Sequence, residues 1–188
     1  PRTLMAHCTH LDTPTLSLLA TRGVSIAHCP WSNIYFSPEK ALPLVQALDA
    51  GISVGLGSDM SGGYRLGIDD SMRAAVAVSR IRAGTTPAAP NAEKERVVGW
   101  KESIYLATLG GAKALGMEAK CGNFEVGKGF DGQLIRLGRK ATTIDLFDEE
   151  MPFEQALEKW WCNGTQADRV AVWVQGRNLR MIEEEVVH

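Results

Sequence analysis

The sequence predicts an α/β fold built on a parallel sheet, and three observations predict it. Short apolar runs alternate with longer, capped stretches three times in succession, and such a strand–helix repeat favours parallel strands joined by right-handed crossovers. Pro and Gly punctuate the repeat at helix starts and ends. Each of the three apolar runs closes on a polar residue, His7, His28 or Asp59, and the C-terminal ends of parallel strands are where such folds place chemistry.

The elements follow in order. Residues 3–7 form a short apolar run, expected as a buried strand. Thr13-Pro14 reads as an N-cap followed by Pro at the first helical position, with the helix running to about Arg22 and Gly23 as its C-terminal stop. Residues 24–27 are the second strand. Ser37-Pro38-Glu39 opens a second helix by the same logic, to about Leu48. Residues 52–56, bounded by Gly51 and Gly57, are the third strand, and Asp69 and Asp70 supply cap or first-turn acids for a helix reaching Arg82. Residues 84–91 read as a loop and 101–115 as a helix with Leu106, Leu109 and Ala112 turned inward. From Gly122 the character changes. Glycines punctuate a turn before a strand over 133–137, a helix covers 153–160, and 170–174 with 179–182 reads as a hairpin. The division expected is 1–120 for the parallel α/β part and 121–188 for a smaller β-rich segment.

A net charge of −2 provides no basic footprint for nucleic acid and no polybasic membrane patch. No apolar run approaches the roughly 20 residues of a membrane span, and the opening residues lack signal-peptide organisation. Cys8, Cys29, Cys121 and Cys162 are widely spaced with no CxxC pair, which reads as four reduced thiols in a cytoplasmic protein.

Two segments hold the candidate chemistry: Met5-Ala6-His7-Cys8-Thr9-His10-Leu11 and Gly55-Leu56-Gly57-Ser58-Asp59-Met60-Ser61-Gly62-Gly63-Tyr64. A His and an Asp at the ends of nearby parallel strands can converge on one metal or one proton-transfer site. The flanking glycines would let backbone approach a ligand closely. Taken singly, a strand-end Asp is more often a cap or turn former and a His in an apolar run more often hydrogen-bonded structure. Their combination is what carries the functional reading.

With their surroundings, these segments resemble the amidohydrolase superfamily. MAHCTHL is similar to its sixth-strand motif, Ser25-Ile26-Ala27-His28-Cys29-Pro30-Trp31-Ser32-Asn33 to its seventh-strand segment, and GLGSD to the eighth-strand motif ending in the metal-linked Asp. The GSDxxGGY continuation resembles the guanine-deaminating branch of the superfamily. Residues 107–116 and 122–131 are similar to the helix after the last barrel strand and to the return into a small β domain. The resemblance implies the C-terminal part of a (β/α)8 TIM-type barrel, strands six to eight with their helices, followed by part of a small β-sandwich domain.

It also implies a zinc-dependent hydrolytic deamination of guanine to xanthine and ammonia in purine catabolism, with one Zn²⁺ per active site. Asp59 is then a metal ligand and substrate contact that takes a proton from the attacking water and helps protonate the departing amine. His7 is either a metal ligand or a donor to the attacking hydroxide. His28 is either a structural brace of its strand or a group behind the site, in the second shell or at the substrate edge. Ser32 and Asn33 are expected to hold their loop through side-chain to backbone bonds. The implied partners are the purine substrate and a second copy of the chain, as a homodimer.

The family's HxH pair and its His-x-x-Glu segment are missing from the sequence, whose histidines are His7, His10, His28 and His188. A catalytic zinc site uses at least three protein ligands plus water, and a whole barrel takes about 250 residues. The expectation is therefore an incomplete C-terminal part of a longer enzyme, inactive by itself, with an open sheet edge. The alternatives are an aminohydrolase or chlorohydrolase acting on another purine, a pterin or a triazine, and a truncated, non-catalytic relative serving as a binding or assembly module.

Overall fold

Strands β1 (Leu4–Ala6), β2 (Ser25–His28) and β3 (Val54–Leu56) lie side by side in sequence order, all parallel. Met5 stands opposite Ile26, and Ile26 opposite Val54. The computed structural model describes residues 3–37, 40–85, 96–138, 144 and 151–181. They fall into two units, Pro1–Gly122 and Asn123–His188.

Burial along β2 alternates as a pleat requires: Ile26 and His28 are fully buried, Ser25 and Ala27 half-buried. The β1 run is not the buried strand its composition suggests. Leu4 is 46% exposed and Met5 39%, whereas Val54 of β3, the other edge of the three-stranded sheet, is 1% exposed.

Helix α1 (Thr13–Thr21) begins one residue earlier than its Thr-Pro pair indicates: the N-cap is Asp12, whose carboxylate accepts the Thr15 N–H at 2.9 Å. Gly23, at φ 63°, turns the chain out of the helix. The predicted helix over residues 37–48 is corrected. Helix α2 (Pro30–Phe36) starts directly after β2, with Pro30 in its first turn, and stops at Ser37. Residues 38–39 lie outside the described set, and 40–43 are not helical. Helix α3 (Leu44–Asp49) begins only after Pro43. Proline lacks the N–H an interior helical position donates, and its ring clashes with the preceding turn, so the helix starts beyond it.

Helix α4 (Ile68–Thr85) carries Asp69 and Asp70 in its first turn and Arg82 in its last, as the helix dipole favours. Its final two residues are the start of the expected 84–91 loop, of which 86–91 lie outside the described residues. The predicted 101–115 helix is interrupted: α5 (Trp100–Tyr105) passes through a π-helical turn, Leu106–Gly110, into α6 (Gly111–Leu115). That turn presses on β3. A β-carbon at Gly110 would lie 2.8 Å from the Val54 carbonyl oxygen, and one at Gly55 would lie 2.8 Å from the Gly111 Cα. Only glycines admit this strand-to-helix approach.

In the second unit, β4 (Gly132–Ile135), β5 (Arg169–Val174) and β6 (Arg177–Met181) form one antiparallel sheet in that order. Gln175 and Gly176, at φ 50° and 77°, make the two-residue β5–β6 turn, matching the hairpin expected from sequence. Helix α7 (Phe153–Asn163) precedes β5. No helix among the described residues is long and apolar enough to cross a membrane.

Candidate active site

The site is assembled at the C-terminal end of the first sheet, and β2 sets its height. The Ala27 carbonyl accepts the His7 N–H at 3.0 Å, and the next carbonyl, of His28, accepts the Gly57 N–H at 2.8 Å. Two residues past Gly57 the chain reaches Asp59.

His7 and Asp59 both leave their strands in the left-handed region, at φ 65° and 48°, with Cys8 at 53° and Ser61 at 80°. Residues with a β-carbon pay about 1–3 kcal/mol each to sit there. Here the turns bring two reactive side chains together: His7 Nε2 is 3.9 Å from Asp59 Oδ2, with 43% and 35% of the side chains exposed. That separation is too long for a hydrogen bond. It lies within the reach of a single zinc ion with Zn–N and Zn–O distances of about 2.0–2.2 Å.

The other ring nitrogen is engaged. His7 Nδ1 lies 3.0 Å from Asn33 Oδ1 and 3.5 Å from Ser32 Oγ. Asn33 is 3% exposed and Ser32 2%; both are held by α2 immediately beyond β2. A ring nitrogen oriented by a buried carbonyl while its partner points into the site is the usual arrangement behind a metal-binding histidine. Ser32 also donates to the Cys29 carbonyl at 3.3 Å, the side-chain to backbone bond expected of it. The Asn33 bond to His7 is between side chains and was not legible in the sequence.

Asp59 is framed by glycines. Its carbonyl accepts the N–H groups of Gly62 at 2.8 Å and Gly63 at 2.6 Å. A β-carbon at Gly62 would stand 2.7 Å from Asp59 Oδ2, and one at Gly63 would collide with the Ser58 carbonyl oxygen. The Gly-Gly pair therefore makes room for the Asp59 turn itself. On the other side, a β-carbon at Gly57 would meet Cys29 Sγ at 2.8 Å. Burial, with the Asp59 charge adding to it, pushes the Cys29 thiol up to about 11, and burial raises that of Cys8.

His28 points elsewhere. Its ring is fully buried in a small cavity lined by Leu44 and Gln46 of α3 and Ala75, Val78 and Ser79 of α4. Neither ring nitrogen has a hydrogen-bond partner. Burial, with the His7 charge adding to it, lowers its pKa to about 4. His7 and Asp59 offer two donors, and no group of three or more His, Cys, Asp or Glu suited to a metal occurs among the described residues.

A family model described as the Amidohydrolase family matches residues 1–179. The chain is 36% identical over 181 residues to guanine deaminase of Mus musculus, covering 95% of this chain and 38% of that protein. It thus spans under two fifths of the length of the curated relatives it matches. Among solved structures it is similar to a C. acetobutylicum guanine deaminase with bound guanine in the active site (TM-score 0.78, 28% identity, 94% of this chain and 39% of that one). A Xanthomonas campestris adenosine deaminase with bound Zn gives a TM-score of 0.75 at 25% identity, covering 95% of this chain and 37% of that one.

Proposed function

The chain belongs to the amidohydrolase family, and from that membership we propose that it is the C-terminal part of a zinc-dependent hydrolase that deaminates guanine to xanthine and ammonia. The observation that carries the proposal is the meeting of His7 Nε2 and Asp59 Oδ2 at the C-terminal end of a parallel sheet. In this reading β1, β2 and β3 are strands six to eight of a (β/α)8 barrel. Residues 1–120 belong to that barrel, and 121–188 contribute to a small β-sandwich domain. The working enzyme is a cytoplasmic homodimer with one zinc per site.

Asp59 would hold the zinc, with His7 either a second ligand or a donor to the attacking hydroxide, together with ligands from outside this chain's described residues. The ion, when bound, would supply Lewis-acid activation of a water, lowering its pKa from 15.7 toward about 7. The Asp59 carboxylate takes a proton from the attacking water and delivers it to the departing amine, acting first as general base and then as general acid. The same carboxylate contacts the purine. The Asn33 and Ser32 side chains hold the His7 ring. His28, enclosed between β2 and its covering helices, braces the strand.

With two donors only, this chain by itself is expected to be inactive. The test is ammonia release from guanine, adenine, S-adenosylhomocysteine and a triazine by the product of the complete reading frame, alongside the 188-residue chain with added zinc. Guanine turnover by the former alone supports the reading. Turnover of adenine but not guanine would replace it with another purine aminohydrolase, the second reading, which the zinc-containing adenosine deaminase neighbour favours. No turnover by either product would leave the non-catalytic binding module.

A further inference from the structure

We propose that Asn33 is a positioning residue that fixes the tautomer of His7, protonated on Nδ1, so that Nε2 presents a lone pair toward Asp59. The inference rests on the reading of His7 as a group of the metal site, and it decides between the two roles open for that histidine. A neutral imidazole has one N–H and one lone pair. With the proton on Nδ1, His7 is a ligand or proton acceptor at Nε2 and not a neutral donor to a hydroxide.

Two neighbours converge on Nδ1, and both present lone pairs to it. Asn33 Oδ1 is 3.0 Å away and can only accept. Ser32 Oγ, at 3.5 Å, directs its own proton to the Cys29 carbonyl at 3.3 Å, which leaves its lone pairs for the ring. The Asn33 amide is buried and comes from α2, which follows β2 after Cys29. Its Cys29 carbonyl accepts the Asn33 N–H at 3.0 Å, and its Asn33 carbonyl accepts the Ser37 N–H at 2.9 Å. The His7 backbone is fixed independently by its bond to Ala27. Ring and amide are thus both anchored to β2, one on each side of the hydrogen bond between them. Nε2, in contrast, lies 3.9 Å from the Asp59 carboxylate. The opposite amide orientation would put N–H groups against Nδ1, move the ring proton to Nε2 and block that nitrogen as a ligand.

The test uses ¹⁵N imidazole resonances of the full chain, which has four histidines to resolve; His7→Gln assigns the signal. In the wild type, His7 is expected to be protonated on Nδ1 and bare on Nε2. Asn33→Leu removes the acceptor, and the His7 signals should move to the Nε2–H form. The zinc concentration needed to perturb them should rise about 10–100-fold. Asn33→Asp restores an acceptor and should return the ring proton to Nδ1. The buried His28 signal reports whether each variant is folded, and the wild-type and Asp measurements stand if the Leu variant is not. A wild-type His7 protonated on Nε2, or a folded Asn33→Leu variant with unchanged tautomer and zinc response, would overturn the proposal. Substrate turnover enters nowhere, so failure of the guanine reading leaves this result intact.

Discussion

A β-carbon placed on Gly62 would stand 2.7 Å from Asp59 Oδ2, so the residue three positions downstream limits where the reactive carboxylate can lie. Gly62→Ala should therefore push the Asp59 side chain aside with little loss of stability, because the clash is with the end of a side chain. Gly63→Ala should be worse for folding, because its β-carbon meets the Ser58 backbone. An overpacking cost of about 1–3 kcal/mol is expected at Gly63. Urea unfolding of the two variants checks the order, and equal midpoints would contradict it.

His28 should make the fold acid-sensitive. Its pKa is about 4 in the folded protein against about 6.5 unfolded, so the unfolded chain takes up the proton first. The stability contributed by keeping the ring neutral is fully present above pH 6.5 and is lost as pH falls from 6.5 toward 4. The loss amounts to about 3 kcal/mol. His28→Leu should flatten that limb of the stability curve, measured by denaturant melts between pH 4 and 7.5. It should cost little at neutral pH, since it replaces two unpartnered ring nitrogens with apolar volume. A variant with the wild-type acid slope would assign the sensitivity to other groups.

The sequence conveyed much of this architecture and less of the site. Gly23, Gly51 and the Pro14 start placed β2, β3 and α1 to within two residues, because these punctuators act locally. Asp12 and Thr13 are both competent caps, and the geometry shows that Asp12 is the one that accepts the Thr15 N–H. Ser37-Pro38 predicts a helix that the structure instead divides into α2, from Pro30, and α3, after Pro43, because Pro43 cannot occupy a helix interior. His7 and Asp59 were identifiable as strand-end residues. Their left-handed backbones and the His7–Asn33 bond, across 26 positions, depend on how three elements meet, and no local pattern encodes that.

Ser79 Oγ accepts the N–H of Val98 at 3.0 Å, where Val98 is fully buried and Ser79 is 7% exposed. Ser79→Ala would strand that amide. A destabilisation of about 1–3 kcal/mol is expected, read as a lower urea midpoint with unchanged slope. Hydrogen exchange at Val98 should accelerate with it. A neutral substitution would mean that water reaches the amide.

Thiol reactivity should be ordered by environment. Cys29, with its thiol pushed up to about 11, has little thiolate at pH 8, and Cys8 is raised in the same direction. Cys162 is exposed and should be alkylated first. Mass mapping after brief iodoacetamide treatment checks this. Cys29 labelling should appear only as pH approaches 11 or the protein unfolds, and early labelling of Cys29 would contradict its enclosure.

The consecutive carbonyls of Ala27 and His28, which hold His7 on one flank and Gly57 on the other, make β2 the gauge block of the site. Sliding it by one residue would displace both anchors by about 3.3 Å along the strand. The same slip would turn Ile26 and His28 to the opposite face of the sheet. Because both anchors sit on one strand, they would travel together, so β2 fixes the level at which His7 and Gly57 stand relative to each other.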